Sequence, residues 1–157
     1  MPITLPELHR VVAVAADRQW YHYTHGTHDR HGYDRDRWTT AVESMGAELV
    51  VHNLLHRPWA PVCDDPARDR LGDVGPGVQV RWHSQADGFL FVRPTDPDDH
   101  VYIHVRGVMP NMEIVGCIEG HKAKRREWLT RLGKKDRPPV HAVPDRYLRQ
   151  VRDDLTY

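Results

Sequence analysis

Four short strand-like runs in one continuous third of the chain constrain its fold more than any other feature. Residues 78–82, 89–93, 101–106 and 112–118 are separated by turn residues, and together they predict an antiparallel meander. Residues 107–111, which include Pro110, form a hairpin connection in this reading. Two helices precede the strands. Thr4-Leu5-Pro6-Glu7 reads as a capping box with proline in the first turn. Leu8, Val11, Val12 and Ala15 then give one apolar face, up to about residue 19. A second helix is predicted from residue 37 to about 55 on the stripe Trp38, Val42, Met45 and Leu49, broadened by Val50, Val51, Leu54 and Leu55. After the strands come a basic helix from 121 to about 132, an extended edge segment at 138–144 and a last helix at 145–151. The expected fold class is α/β (α+β): a central mixed, mainly antiparallel sheet of four to five strands, flanked by helices. A length of 157 residues fits one domain spanning 1–157.

Charge and composition remove several classes. Lys plus Arg and Asp plus Glu are equal at 22 each, so any basic footprint for nucleic acid must be local. No apolar run approaches the roughly 20 residues of a membrane-spanning helix. Met1-Pro2-Ile3-Thr4 lacks the pattern of a secretory signal, and a cytoplasmic protein is expected. Cys63 and Cys117 are too few for a disulfide scaffold or a cysteine zinc site; Cys117 reads as a small core residue and Cys63 as a loop thiol. Neither a P-loop nor a serine nucleophile elbow is present. Residues 20–36 read as a polar, His-rich loop, in which His22, His25, His28 and His31 recur every third residue. Gly26 and Gly32 oppose a regular helix that would hold them on one face, so an exposed loop is expected ahead of a transition-metal site.

The chemistry-bearing stretch is Gly72-Asp73-Val74-Gly75-Pro76-Gly77-Val78-Gln79-Val80-Arg81-Trp82. On a strand over 78–82, Val78, Val80 and Trp82 face the core while Gln79 and Arg81 project together from the other side. A glycine-rich hairpin brings the Asp73 carboxylate beside Gln79, gathering an acid, an amide oxygen and a cation. The bland reading makes Asp73 a turn former, Glu48 a helix-surface carboxylate or a partner of His52, and Gln79 with Arg81 part of a solvated sheet face.

This order of features resembles the PD-(D/E)XK nuclease superfamily, in particular its small phage-encoded members. In that family an aspartate precedes a hairpin and an acid-X-lysine triplet follows on the next strand. Here Asp73 and Gln79-Val80-Arg81 take those places, and Glu48 of Gly46-Ala47-Glu48-Leu49-Val50-Val51 takes that of a helical glutamate. Phe89-Leu90-Phe91-Val92-Arg93-Pro94, Asp96-Pro97-Asp98-Asp99, Val101-Tyr102-Ile103-His104-Val105 and Val115-Gly116-Cys117-Ile118-Glu119-Gly120 are similar too, and the likeness spans residues 37–150. It implies a restriction-endonuclease-like fold and metal-dependent hydrolysis of DNA, with Mg²⁺ (or Mn²⁺) held by Asp73, Gln79, the Val80 carbonyl and Glu48, and with Arg81 in the lysine's place. Two departures bear on catalysis: Gln79 carries no charge, and Arg81 cannot serve as a general base. The alternative implied is a catalytically inactive module binding DNA or a host protein partner, with homodimerisation left open. Lys122, Lys124, Arg125 and Arg126, with Lys134 and Lys135, form the densest basic patch and the expected nucleic-acid contact, against the plain reading of a solvated helix.

Overall fold

The computed structural model describes residues 2–25, 36–59, 61, 72–132 and 137–152. Helix α1 spans Leu5–Thr24 and α2 spans Arg37–Leu54. The Glu7 carboxylate accepts from the Thr4 backbone N–H at 2.8 Å and from its hydroxyl at 2.7 Å, so the start of α1 is the one its sequence encodes. Asp36 caps α2 by accepting from the N–H groups of Trp38 and Thr39. α1 runs one turn further than its apolar pattern, so His22 lies on the helix and His25 at its end rather than in a loop. His28, His31, Cys63, Lys134 and Lys135 lie outside the described residues.

The strands are β1 (Val78–His83), β2 (Leu90–Val92), β3 (Val101–Val108), β4 (Asn111–Glu119), β5 (Leu129–Thr130) and β6 (Val140–Val143). They build two three-stranded sheets, ordered β1-β3-β4 and β2-β6-β5, rather than one sheet of four or five strands. The predicted meander is also corrected, because β1 and β3 pair in parallel, Val78 with Val101 through His83 with Arg106. β2 leaves that sheet and pairs antiparallel with β6. The physical reason lies in β3, whose residues are buried on both faces from Val101 to Val105. Val101, Ile103 and Val105 join the helix-side core with Met45, Leu49 and Val51 of α2. Tyr102 faces a second core of Leu90, Val92, Ile118, Ala123, Trp128 and Val143. A strand apolar on both sides needs cover on both, and the second sheet supplies it.

That requirement reshapes the C-terminal third. The predicted basic helix is only a short α3, Gly120–Ala123, followed by a 3-10 turn at Arg126–Trp128 and then β5. Burial of Trp128 and pairing of β5 with β6 override the helical preference of the charged run. The expected edge segment holds β6, which is the central strand of its sheet. The expected last helix is a 3-10 turn, Asp145–Tyr147, after which Arg149 exchanges both backbone hydrogen bonds with Cys117 along β4. Cys117 is fully buried, as a core residue should be. Among the described residues, no helix is long and apolar enough to cross a membrane.

Candidate functional site

The turn before β1 is built by its glycines. Gly72 has φ +88°, and a Cβ there would lie 2.5 Å from the carbonyl oxygens of Gly75 and Val78. Only glycine admits both that conformation and that approach. The Asp73 and Val74 N–H groups both donate to the Val78 carbonyl, closing the turn onto the strand. The Asp73 carboxylate then accepts from the Val80 N–H at 2.8 Å. α2 and the segment just after it clamp the same turn: His52 Nε2 lies 3.3 Å from the Asp73 carbonyl oxygen, and Arg57 donates to the Val74 carbonyl at 2.6 Å. Asp73 is therefore a turn-building residue, whatever else it does.

Gln79 and Arg81 do project together from the face of β1 opposite the helix-side core. That face is covered by the second sheet rather than solvated, and Gln79 is buried. Arg81 Nη1 donates to Gln79 Oε1 at 3.2 Å and approaches the Val80 carbonyl oxygen at 3.3 Å. Its Nη2 donates to Asp96 at 3.1 Å, and the guanidinium carbon lies 5.2 Å from the centre of the Tyr102 ring. Asp96 is held in turn by the Arg93 N–H at 2.9 Å. Burial, with Asp96 adding to it, pushes the Tyr102 phenol far above its ordinary value, so it stays a donor and bonds the Pro97 carbonyl at 2.9 Å. Glu48 is buried in α2, one helical turn before His52, and pairs with Arg18 of α1 at 3.3 Å.

A single guanidinium nitrogen thus lies against both neutral oxygens, Gln79 Oε1 and the Val80 carbonyl, that the family resemblance assigns to Mg²⁺. That ion demands near-octahedral oxygen ligands at about 2.0–2.1 Å and gains little from uncharged donors. With Arg81 in place, a divalent cation would meet like charge within contact distance. One Asp73 oxygen is committed to Val80, and the described ion pair of Glu48 is with Arg18. The donor set as arranged does not fit Mg²⁺. Among the described residues, no group of three or more His, Cys, Asp or Glu side chains is placed to hold a metal ion.

In the predicted basic patch, Lys122, Lys124 and Arg125 each have an acidic neighbour, Glu119, Asp98 and Glu127. Lys122 pairs with Glu119 at 3.2 Å, and Lys124 pairs with Asp98 at 2.6 Å while also donating to the Asp96 carbonyl. The Lys124 hydrogen bond and charge hold the Asp98 carboxyl below its ordinary value. Arg125 stacks over Trp128, and Arg126 is exposed. Positive charge gathers elsewhere, in a cleft of about 590 Å³ at the end of β1 lined by Arg81, Arg93 and Arg137 together with Phe89, Phe91 and His83. Sequence reasoning missed Asp96 as a site residue, although Arg93-Pro94-Thr95-Asp96 carries the signal of a tight turn. Comparison with family models, with curated proteins and with solved structures finds no match.

Proposed function

We propose that this chain is a nuclease-like module that binds DNA through the phosphodiester backbone beside Arg81, without metal-supported turnover. The observation carrying the reading is the guanidinium set against Gln79 Oε1 and the Val80 carbonyl oxygen and anchored by Asp96. A guanidinium has five N–H donors. The described bonds draw on Nη1 and Nη2, so Nε–H and one Nη2 hydrogen remain while the side chain is 28% exposed and lines the cleft. An arginine already fixed on several sides meets a phosphate oxygen with little further ordering, and its planar fork suits two oxygens of one phosphate. Support for a restriction-endonuclease-like scaffold comes from the order helix, aspartate turn, Gln-X-Arg strand, with His52 of α2 and Arg57 just beyond it clamping that turn.

A competing reading, Mg²⁺-dependent cleavage of DNA, draws on one observation. Asp73 is partly exposed, and only one of its carboxylate oxygens is hydrogen-bonded among the described residues. It requires Arg81 to leave Gln79 and Val80. The two readings separate in one assay: linear, nicked and single-stranded DNA incubated with Mg²⁺, Mn²⁺ or EDTA. Binding in EDTA with intact DNA in every lane is the expected result. Metal-dependent cutting that disappears in Asp73→Asn would overturn the proposal in favour of the nuclease.

A further inference from the structure

The proposal above leaves unused the cleft into which Arg81 opens. Resting on that reading, we infer that this cleft takes one nucleotide of an unpaired strand, its base on Phe89 and its phosphate among the arginines. The ligand chemistry follows from the lining. Phe89 is 45% exposed although it directly precedes β2, so a flat apolar ring faces the cleft with part of its surface uncovered. Phe91 stands two residues on, and its ring meets that of His83 edge-on at 5.8 Å. The imidazole is fixed on its other side, because the Gln85 N–H donates to its Nδ1 at 3.1 Å and Gly88 leaves room for it. His83 and Phe91 thus form a prearranged aromatic pair in the cleft that Phe89 also lines.

Opposite in character are the arginines. Arg81, Arg93 and Arg137 outnumber the lone acidic lining residue, Asp87, among the described residues. A purely apolar ligand would leave the remaining N–H donors of Arg81 unused, and a simple anion would leave Phe89 uncovered. A base carrying a phosphate satisfies both, since its faces stack on aromatic rings while its phosphate takes arginine donors. A volume of about 590 Å³ is of small-ligand size and admits one such unit. Paired DNA has no unstacked base to offer Phe89, so the cleft selects unpaired strand, an end or a displaced nucleotide.

The test is fluorescence anisotropy of the full chain in EDTA with three labelled probes: oligo(dT), duplex of equal length, and an oligomer of the same length whose sites are all abasic. Oligo(dT) binds most tightly. Phe89→Ala weakens its binding about 10-fold and leaves the abasic oligomer unchanged, while Phe89→Trp restores it. Arg93→Ala weakens oligo(dT) and the abasic oligomer alike. Phe89 is exposed enough for its variants to fold, which a melting curve checks. Equal binding of oligo(dT) by Phe89→Ala and the wild type, or equal binding of abasic and base-bearing oligomers, overturns the inference. Displacement of oligo(dT) by free dTMP at equal nucleotide concentration overturns the strand assignment and gives the cleft to a free nucleotide. Failure of the wild type to bind any probe would remove the proposed function as well, whereas binding indifferent to Phe89 removes this inference alone.

Discussion

Asp73→Ala should destabilise the fold before it affects any chemistry. The Asp73 carboxylate accepts the Val80 N–H at 2.8 Å, and this bond ties the glycine turn to the middle of β1. A hydrogen bond to a charged group contributes about 1.5–3 kcal/mol. Asp73 is partly exposed, and water can partly replace the lost acceptor, which places the expected cost at about 2 kcal/mol. For a domain of this size each kcal/mol moves Tm by about 2–4 °C, so Asp73→Ala should melt about 4–8 °C below wild type. Asp73→Asn keeps an oxygen of nearly the same shape as a neutral acceptor and should lose about half as much. The clamps from His52 and Arg57 engage backbone carbonyls and survive both substitutions, so the variants stay folded at room temperature. Thermal melts followed by circular dichroism read the difference. An Asp73→Ala variant melting within about 1 °C of wild type, or an Asp73→Asn variant no better than the alanine, would refute the structural role. The consequence for function assays is direct: Asp73→Asn is the cleaner probe of a metal ligand.

Other outcomes follow from particular contacts. Glu7→Gln weakens the acceptor of the Thr4 capping pair and should cost about 1 kcal/mol, measured by urea denaturation. Thr4 holds the Glu7 carboxyl below its ordinary value, so that contribution is present above about pH 4.3 and is lost as pH falls through the lowered folded value. His104 behaves with the charge reversed. It is fully buried between the sheets with Asp145 at 3.3 Å, and burial holds its imidazole below the ordinary value despite that carboxylate. The unfolded chain takes up this proton first, so its share of stability is complete above about pH 6.5 and declines as pH falls below it. Urea midpoints of wild type and His104→Gln should therefore diverge between neutral and mildly acidic buffer, with the wild type falling more steeply; parallel curves would contradict this. Tyr102→Phe removes the bond to the Pro97 carbonyl and should cost about 1 kcal/mol, read by the same denaturation.

What could be read in advance was local. The Thr4 and Glu7 cap, the α2 stripe from Val42 onward, the alternation of β1 and all four strand-like runs are settled by neighbours a few residues apart, and each formed, whereas Trp38, expected to open that stripe, is exposed. The face shared by Gln79 and Arg81 was legible for the same reason. Its surroundings were not. Arg81 meets Asp96, fifteen positions on, because the chain between them turns through β2 into another sheet, and no periodicity signals that departure. The parallel pairing of β1 with β3 depends on the same detour. The charged run after Gly120 has good helix formers, but Trp128 is drawn into the second core and Lys124 is held by Asp98, so tertiary contacts decide its path. Glu48 has a helical position compatible with a site, yet its ion pair with Arg18 depends on how α1 crosses α2, which the sequence of neither helix encodes by itself.

The central claim is that Arg81 contacts phosphate in place of a metal, and the salt dependence of binding tests it most directly. Each phosphate neutralised contributes about 0.7 to the slope of log affinity against log salt for single-stranded DNA and about 0.9 for duplex. Anisotropy titrations in EDTA over a range of salt, comparing wild type with Arg81→Gln, should show a slope smaller by about one phosphate contact in the variant, and Mg²⁺ added without EDTA should give wild type no gain in affinity. Identical slopes, or wild-type affinity that rises on adding Mg²⁺, would contradict the account and return the site to metal chemistry.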